Sequence, residues 1–119
     1  MVACPEFGLR VEVTDWTKKA DECANYIVKT DFQIAELKVK HERDKRKAKR
    51  KWSAIFLRVT GSVEARKAQA EIHPDYELAV AGEMTSLLEY EKLRNKRETA
   101  NTIIEFWRSY NKAMQQGHV

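Results

Sequence analysis

Residues 15–58 read DWTKKADECANYIVKTDFQIAELKVKHERDKRKAKRKWSAIFLR, and this stretch decides the fold. Its apolar and small residues recur at alternating steps of four and three, which places them on one face of a helix as a heptad seam. The seam residues are Trp16, Ala20, Cys23, Ile27, Thr30, Ile34 and Leu37. No Gly or Pro interrupts the stretch before Gly61, so it predicts a helix of roughly 65 Å at 1.5 Å per residue. Such a helix needs a partner helix along its seam.

A second helical stretch runs from Asp75 to about Met114, and Gly82 is the one weak helix former on its way. Its apolar face consists of Val80, Met84, Leu87, Tyr90, Leu93, Ala100, Ile103, Ile104, Trp107, Tyr110 and Met114. Two helices of similar length joined by a compact corner predict an antiparallel helical hairpin that resembles a coiled coil. In this pairing we expect Cys23 to approach Trp107.

The corner between the two long helices contains both stop and start signals. Residues 60–62, Thr-Gly-Ser, supply a glycine that ends the first helix and fresh capping residues for the next one. A short, Ala-rich third helix is predicted over residues 63–72. Pro74 ends it, because a residue before proline, here His73, is disfavoured in the helical region.

The N-terminal residues 1–13 are predicted to form an extended arm ahead of the helical domain of residues 14–119. Apolar residues alternate with polar ones at Phe7, Leu9, Val11 and Val13, which is typical of a half-buried β-strand. No second strand is available in the chain, so the strand must pair with a symmetry mate or with the sheet edge of another protein, or it is a loose arm in water. We therefore treat these four apolar residues as candidate partner-binding residues.

Composition limits the class of protein. The 119 residues contain 4 Gly and 2 Pro, so tight turns are few, and the mean hydropathy of -0.64 with 34% charged residues predicts a narrow core. Apolar runs fall short of the roughly 18 residues of a membrane span, and residues 1–5 do not look like the start of a signal peptide. We expect an all-α, cytoplasmic protein without membrane contact. Its apolar stripes are wider than one partner helix can cover, which predicts a dimer.

Positive charge is concentrated in residues 38–51, here called the basic segment. It holds nine Lys and Arg residues against two acidic ones, a net charge of +7. A helix with this many basic residues can neutralise several phosphates, and an adjacent tryptophan can stack on a base. The candidate nucleic-acid-binding residues are Arg43, Lys45, Arg46, Lys47, Lys49, Arg50, Lys51 and Trp52.

The competing interpretation is that the chain balances this charge itself. Residues 71–91, the acidic segment, contain six Asp and Glu residues and no Lys or Arg, a net charge of −6. In an antiparallel hairpin the two segments flank the same corner and run side by side. Surface ion pairs contribute only about 0 to 1 kcal/mol each, so phosphates could still replace them.

The sequence pattern contains no candidate catalytic or metal site. His41, His73 and His118 are scattered, and no pair has the spacing of a zinc site. Cys23 falls on the seam, where it is better explained as a small core residue than as a nucleophile, and Cys4 lies in the arm. Because neither a Walker-type phosphate loop nor a G-x-S-x-G motif is present, we expect neither an enzyme nor a cofactor or metal site.

Several short segments within residues 55–110 carry a family resemblance, which amino-acid composition alone does not reveal. The segments concerned are Phe56-Leu57, residues 60–68 (TGSVEARKA), Asp75-Tyr76, residues 91–94 (EKLR) and residues 104–109 (IEFWRS). They resemble a family of small helical proteins encoded by phages and prophages. The resemblance implies an accessory protein of recombination, replication or defeat of host defence, acting in the host cytoplasm. The arm and the basic segment are not part of the resemblance.

Two classes of function follow from these observations. One is an accessory factor of DNA recombination or replication that binds nucleic acid through the basic segment without sequence preference. The other is a protein-interaction module that inhibits or adapts a host or phage protein through the arm and the acidic surface.

Overall fold

The structure is a computed structural model that describes residues 16–117, and these residues form three α-helices. Helix α1 spans Trp16–Arg58, α2 spans Val63–Ile72 and α3 spans Pro74–Gly117. No β-strand occurs among the described residues. The predicted all-α class and the order of long helix, short helix and long helix are confirmed. The extended segment of residues 7–13 lies outside the described residues.

The chain divides into two compact units, each of which contains a part of both long helices. Among the described residues, unit 1 comprises residues 16–33 and 92–117, and unit 2 comprises residues 34–91. Each long helix therefore contributes to both units.

In unit 1, α1 and α3 pack against each other in antiparallel orientation. The Trp16 ring lies 4.6 Å from the Phe106 ring between centroids, and the indole nitrogen of Trp107 donates to the hydroxyl of Thr17 at 3.1 Å. The fully buried core of this unit is Cys23 with Ala100. It is flanked by partly buried Tyr26, Ile27, Ile103 and Ile104.

The predicted register of this pairing is wrong by about two helical turns. Cys23 is buried as expected, but it packs against Ala100, whereas Trp107 reaches Thr17. The prediction placed the bend midway between the long helices. Because the corner contains helix α2, the number of residues in the corner does not determine which residues of α1 and α3 lie opposite each other. Side-chain contacts between α1 and α3 set the register instead.

In unit 2, the core is equally narrow and consists mostly of small residues. Ile55 is fully buried, and it is accompanied by the buried residues Ala48, Ala70 and Ser86. Lys40 of α1 lies 3.5 Å from Glu89 of α3, and His41 lies 3.8 Å from Glu83. These pairs place the two helices antiparallel here as well.

Side-chain caps shape the corner of unit 2. Gly61 adopts φ 122°, a conformation that favours glycine, and the hydroxyl of Ser62 caps α2 by accepting from the amide of Ala65 at 3.2 Å. Arg66 donates to the carbonyl oxygen of Phe56 from Nε at 3.1 Å and from Nη2 at 2.8 Å. One of the otherwise unpaired carbonyls at the end of α1 is thereby satisfied.

Within residues 16–117, none of the three helices contains an apolar segment that is long enough and apolar enough to span a membrane.

Candidate nucleic-acid interface

The basic segment lies in the C-terminal half of α1, within unit 2. All nine of its Lys and Arg side chains are exposed, because α1 turns only a narrow stripe inward at this point. Ala48 and Ile55 are buried on that stripe, and His41, Asp44 and Trp52 are half-buried beside it. The seam of residues 16–37 therefore continues through positions 41, 44, 48, 52 and 55.

Helix geometry distributes the basic side chains over three sides of α1. At about 100° per residue, Arg43, Arg46 and Arg50 lie on the face opposite buried Ala48. Lys45 and Lys49 lie on one flank of that face. Lys47 and Lys51 lie on the other flank, where they line a groove described below. The arginines, which bind phosphate through two parallel N–H groups, are thus the most outward-facing cations.

Internal neutralisation involves one of the nine cations. Lys40 pairs with Glu89 at 3.5 Å between Nζ and Oε2. Within residues 16–117, no carboxylate lies within 4.0 Å of the other eight cations. These eight are Lys38, Arg43, Lys45, Arg46, Lys47, Lys49, Arg50 and Lys51. The acidic segment therefore leaves most of the basic segment unpaired.

Trp52 differs from the other predicted site residues. It is half-buried, and its ring stacks on Phe56 with centroids 5.3 Å apart and planes 8° from parallel. The guanidinium carbon of Arg66 lies 4.3 Å from the centroid of Phe56. One face of the Trp52 ring therefore packs within the protein, so the basic side chains around it are more accessible than the indole.

A groove opens between α1 and α3 on one flank of the basic segment. Its volume is about 540 Å³. Three cations line it, namely Lys47, Arg50 and Lys51, together with the carboxylate of Asp44. The remaining lining residues are Ala54, Ala79 and Gly82.

Three of the residues that line the groove, Ala54, Ala79 and Gly82, have small side chains or none. Gly82 lies in the interior of α3, and a Cβ added there meets nothing within 4 Å. In the sequence Gly82 stands out only as a weak helix former, and Ala54 and Ala79 give no indication of a groove. A glycine within an otherwise strong helical pattern was the available signal, because glycine in a helix costs about 1 kcal/mol relative to alanine.

Among the described residues, no group of three or more His, Cys, Asp or Glu side chains is arranged to hold a metal ion. His41 faces Glu83 within the helix pair of unit 2, whereas His73 lies at the corner, where its Nδ1 accepts from the amide of Asp75 at 3.1 Å. Cys23 is fully buried in unit 1.

Comparisons of this chain with models of protein families, with curated proteins and with solved structures gave no match.

Proposed function

We propose that this chain is a non-enzymatic accessory protein that binds nucleic acid through the basic segment without sequence preference. The observation that carries the proposal is the set of eight exposed basic side chains that no carboxylate in the described residues pairs with. A cation without a protein partner gains most from a phosphate, because no internal ion pair must be broken first.

The distribution of these cations supports phosphate contact rather than base recognition. They occupy three sides of one helix and include both Lys and Arg. Each phosphate contact releases condensed counterions and contributes affinity independently of sequence. Binding through this segment is therefore expected to be strong at low salt and to weaken steeply as salt increases.

The biological setting belongs to the same proposal. The resemblance of residues 55–110 to small helical phage and prophage proteins supports a role in phage recombination or replication, in the cytoplasm of the host cell. Nucleic-acid binding without sequence preference suits such a role, because accessory factors of this kind act along DNA of any sequence.

The test replaces Lys45, Lys47, Arg50 and Lys51 by Gln and follows fluorescence anisotropy of labelled DNA across a salt series. Affinity should fall similarly for unrelated sequences, and the slope of log affinity against log salt should shrink by about 0.7 to 0.9 for each phosphate that the variant no longer neutralises. The matched control replaces four exposed lysines outside the segment. These are Lys18, Lys29, Lys92 and Lys112.

The control removes the same charge, so it should weaken binding much less than the variant of the basic segment. Equal losses in the two variants would indicate a general effect of net charge. Absence of wild-type binding to DNA and RNA at about 50 mM salt, where phosphate contacts are strong, would end the proposal.

A protein-interaction module is the second candidate, and exposed apolar side chains of α3 in unit 2 favour it. Leu78 is 74% exposed, Leu88 55% and Met84 53%. The occupant that fits is a second copy of this chain, because its basic segment complements the acidic segment around these apolar residues. The dimer should appear in sedimentation experiments and should dissociate when Leu78 and Leu88 are replaced by Gln.

A host or phage protein is the other possible occupant of a module of this kind. The arm with Phe7, Leu9, Val11 and Val13 is retained in this candidate as the partner-binding segment. Deleting residues 1–13 should change the oligomeric state or partner binding while the helix content stays nearly the same. An unchanged sedimentation profile with unchanged binding would exclude a role for the arm.

A further inference from the structure

The groove of unit 2 combines three features that suit a phosphodiester. Lys47, Arg50 and Lys51 line it from α1, and none of them has an ion-pair partner among the described residues. Its floor is formed by Ala54, Ala79 and Gly82, which expose small apolar surface. A sugar can pack on such a floor while the phosphate attached to it contacts the cations.

Size and charge agree with this occupant. The volume of about 540 Å³ is within the range of small-molecule sites, roughly 300 to 1,000 Å³, and so holds a sugar with its phosphate. Three cations against the carboxylate of Asp44 leave an excess of positive charge. Arg50 can donate two hydrogen bonds to one phosphate, and each lysine adds a point charge.

Gly82 lines the groove without a side chain. Its backbone conformation does not require glycine, because Gly61 is the glycine with positive φ among the described residues. Its missing side chain leaves open space, since a Cβ would meet nothing within 4 Å.

We infer that the groove between α1 and α3 of unit 2 holds one sugar-phosphate unit of a nucleic-acid strand, with its phosphate bound by Lys47, Arg50 and Lys51. The inference rests on the proposed function and makes it more specific. Only the side of the basic segment that lines the groove then contacts phosphate directly. The cations on the opposite flank contribute only through long-range attraction.

The helix itself provides a matched pair of variants. The groove variant replaces Lys47, Arg50 and Lys51 by Gln, and the opposite-flank variant replaces Lys45, Arg46 and Lys49 by Gln. Each removes two lysines and one arginine, and on the helix surface the two sets are mirror images about the buried stripe. All six side chains are exposed, so both variants should retain the fold.

Binding is measured by anisotropy with a labelled DNA strand of about 20 nucleotides at about 50 mM salt and across a salt series. The groove variant should lose about tenfold more affinity than the opposite-flank variant. Its salt slope should also fall by about 0.7 for each phosphate that is no longer bound. Circular dichroism confirms that both variants keep the helix content of the wild type.

A second pair of variants fills the groove without changing charge. Gly82→Met extends a side chain into it and should weaken DNA binding about threefold or more, whereas Gly82→Ala adds one methyl group in open space and should leave binding nearly unchanged. Because Ala and Met are both better helix formers than Gly, neither change should unfold α3.

The outcomes separate this inference from the proposed function. Equal losses in the two triple variants, with no effect of Gly82→Met, would show that DNA binds around the helix and not in the groove, while the proposed function would stand. Tighter binding of inorganic tripolyphosphate than of the strand at equal phosphate concentration would show a small-anion site and overturn the inference. Absence of wild-type DNA binding would overturn both this inference and the proposed function.

Discussion

Arg97 of α3 donates a hydrogen bond from Nη1 to the hydroxyl of Thr30 on α1 at 2.8 Å. The same nitrogen donates to the carbonyl oxygen of Ile27 at 2.8 Å, and Nη2 donates to Asp31 at 3.1 Å. Thr30 is buried and donates its own hydroxyl proton to the carbonyl of Tyr26 at 2.7 Å. One guanidinium thus binds two polar side chains and the backbone of α1, and it fixes the register of the helix pair in unit 1.

Replacing Arg97 by Lys should lower the free energy of unfolding by about 1 to 3 kcal/mol. Lysine keeps the charge but lacks the planar fork that reaches several acceptors at once. The measurement is urea denaturation followed by circular dichroism. As a control, Arg108→Lys alters an exposed pair with Glu105 on the same helix and should change stability by less than about 0.5 kcal/mol. Equal effects of the two changes would show that Arg97 does not hold the register.

The sequence predicted the helices well because their signals are local. Ser62 and Pro74 stand at the boundaries of α2, and the predicted range of residues 63–72 matches its observed span. The register between α1 and α3 depends instead on contacts between distant residues, such as Trp16 with Phe106. A seam of mixed small and large residues is compatible with several registers, so periodicity alone could not choose among them.

The second prediction concerns the core of unit 2. Ile55 is completely buried, whereas Leu57 on the same helix is 76% exposed. Ile55→Ala should cost about 2 to 4 kcal/mol, because it removes buried methyl groups and leaves a cavity. Leu57→Ala should cost less than about 0.5 kcal/mol. Denaturant titration of both variants tests this, and similar losses would mean that the buried stripe is placed incorrectly.

The third prediction concerns Arg66, which ties α2 to the end of α1. Its side chain makes two hydrogen bonds to the carbonyl of Phe56 and lies over the ring of the same residue. Arg66→Ala should lower the free energy of unfolding by about 1 to 2 kcal/mol. The carbonyl of Phe56 loses its hydrogen-bond donors, and the Phe56 ring loses the guanidinium that lies over it. Lys67→Ala, at the exposed neighbouring position, is the control and should change stability little. Thermal denaturation distinguishes them, and a neutral Arg66 variant would contradict this role.

The site was less predictable than the fold. The basic segment was visible as composition, and the structure adds which of its cations remain unpaired. Ala54, Ala79 and Gly82 meet only after α1 and α3 pack, and small residues give no chemical signal of their own. Trp52 was expected to be available for stacking, but the sequence could not show that Phe56, one turn later, would cover one of its faces.

The fourth prediction concerns His41 and Glu83, which face each other in unit 2. The Nε2 atom of His41 lies 3.8 Å from the carboxylate, too far for a hydrogen bond, and this buried atom has no hydrogen-bond partner in residues 16–117. A buried polar atom without a partner costs about 1 to 3 kcal/mol. Replacing both residues by Leu should therefore raise the free energy of unfolding by about 1 kcal/mol.

The control for this double variant is the exposed pair Lys40 and Glu89, both replaced by Gln, for which a change of less than about 0.5 kcal/mol is expected. Urea denaturation of the two double variants provides the comparison. If the Leu variant is less stable than the wild type, the His41 and Glu83 pair contributes net stability, and the prediction is wrong.

The last prediction uses the two acidic residues of the basic segment to locate bound phosphate. Asp44 is half-buried and lines the groove, whereas Glu42 is exposed and does not line it. A carboxylate several ångströms from a phosphate repels it by about 1 kcal/mol in a solvent-like dielectric. Asp44→Asn should therefore tighten DNA binding about three- to tenfold, and Glu42→Gln should tighten it less, although each removes one negative charge. Anisotropy at about 150 mM salt, where long-range attraction is screened beyond about 8 Å, gives the clearest contrast. An equal gain in both variants would mean that the phosphates lie around α1 and not beside Asp44.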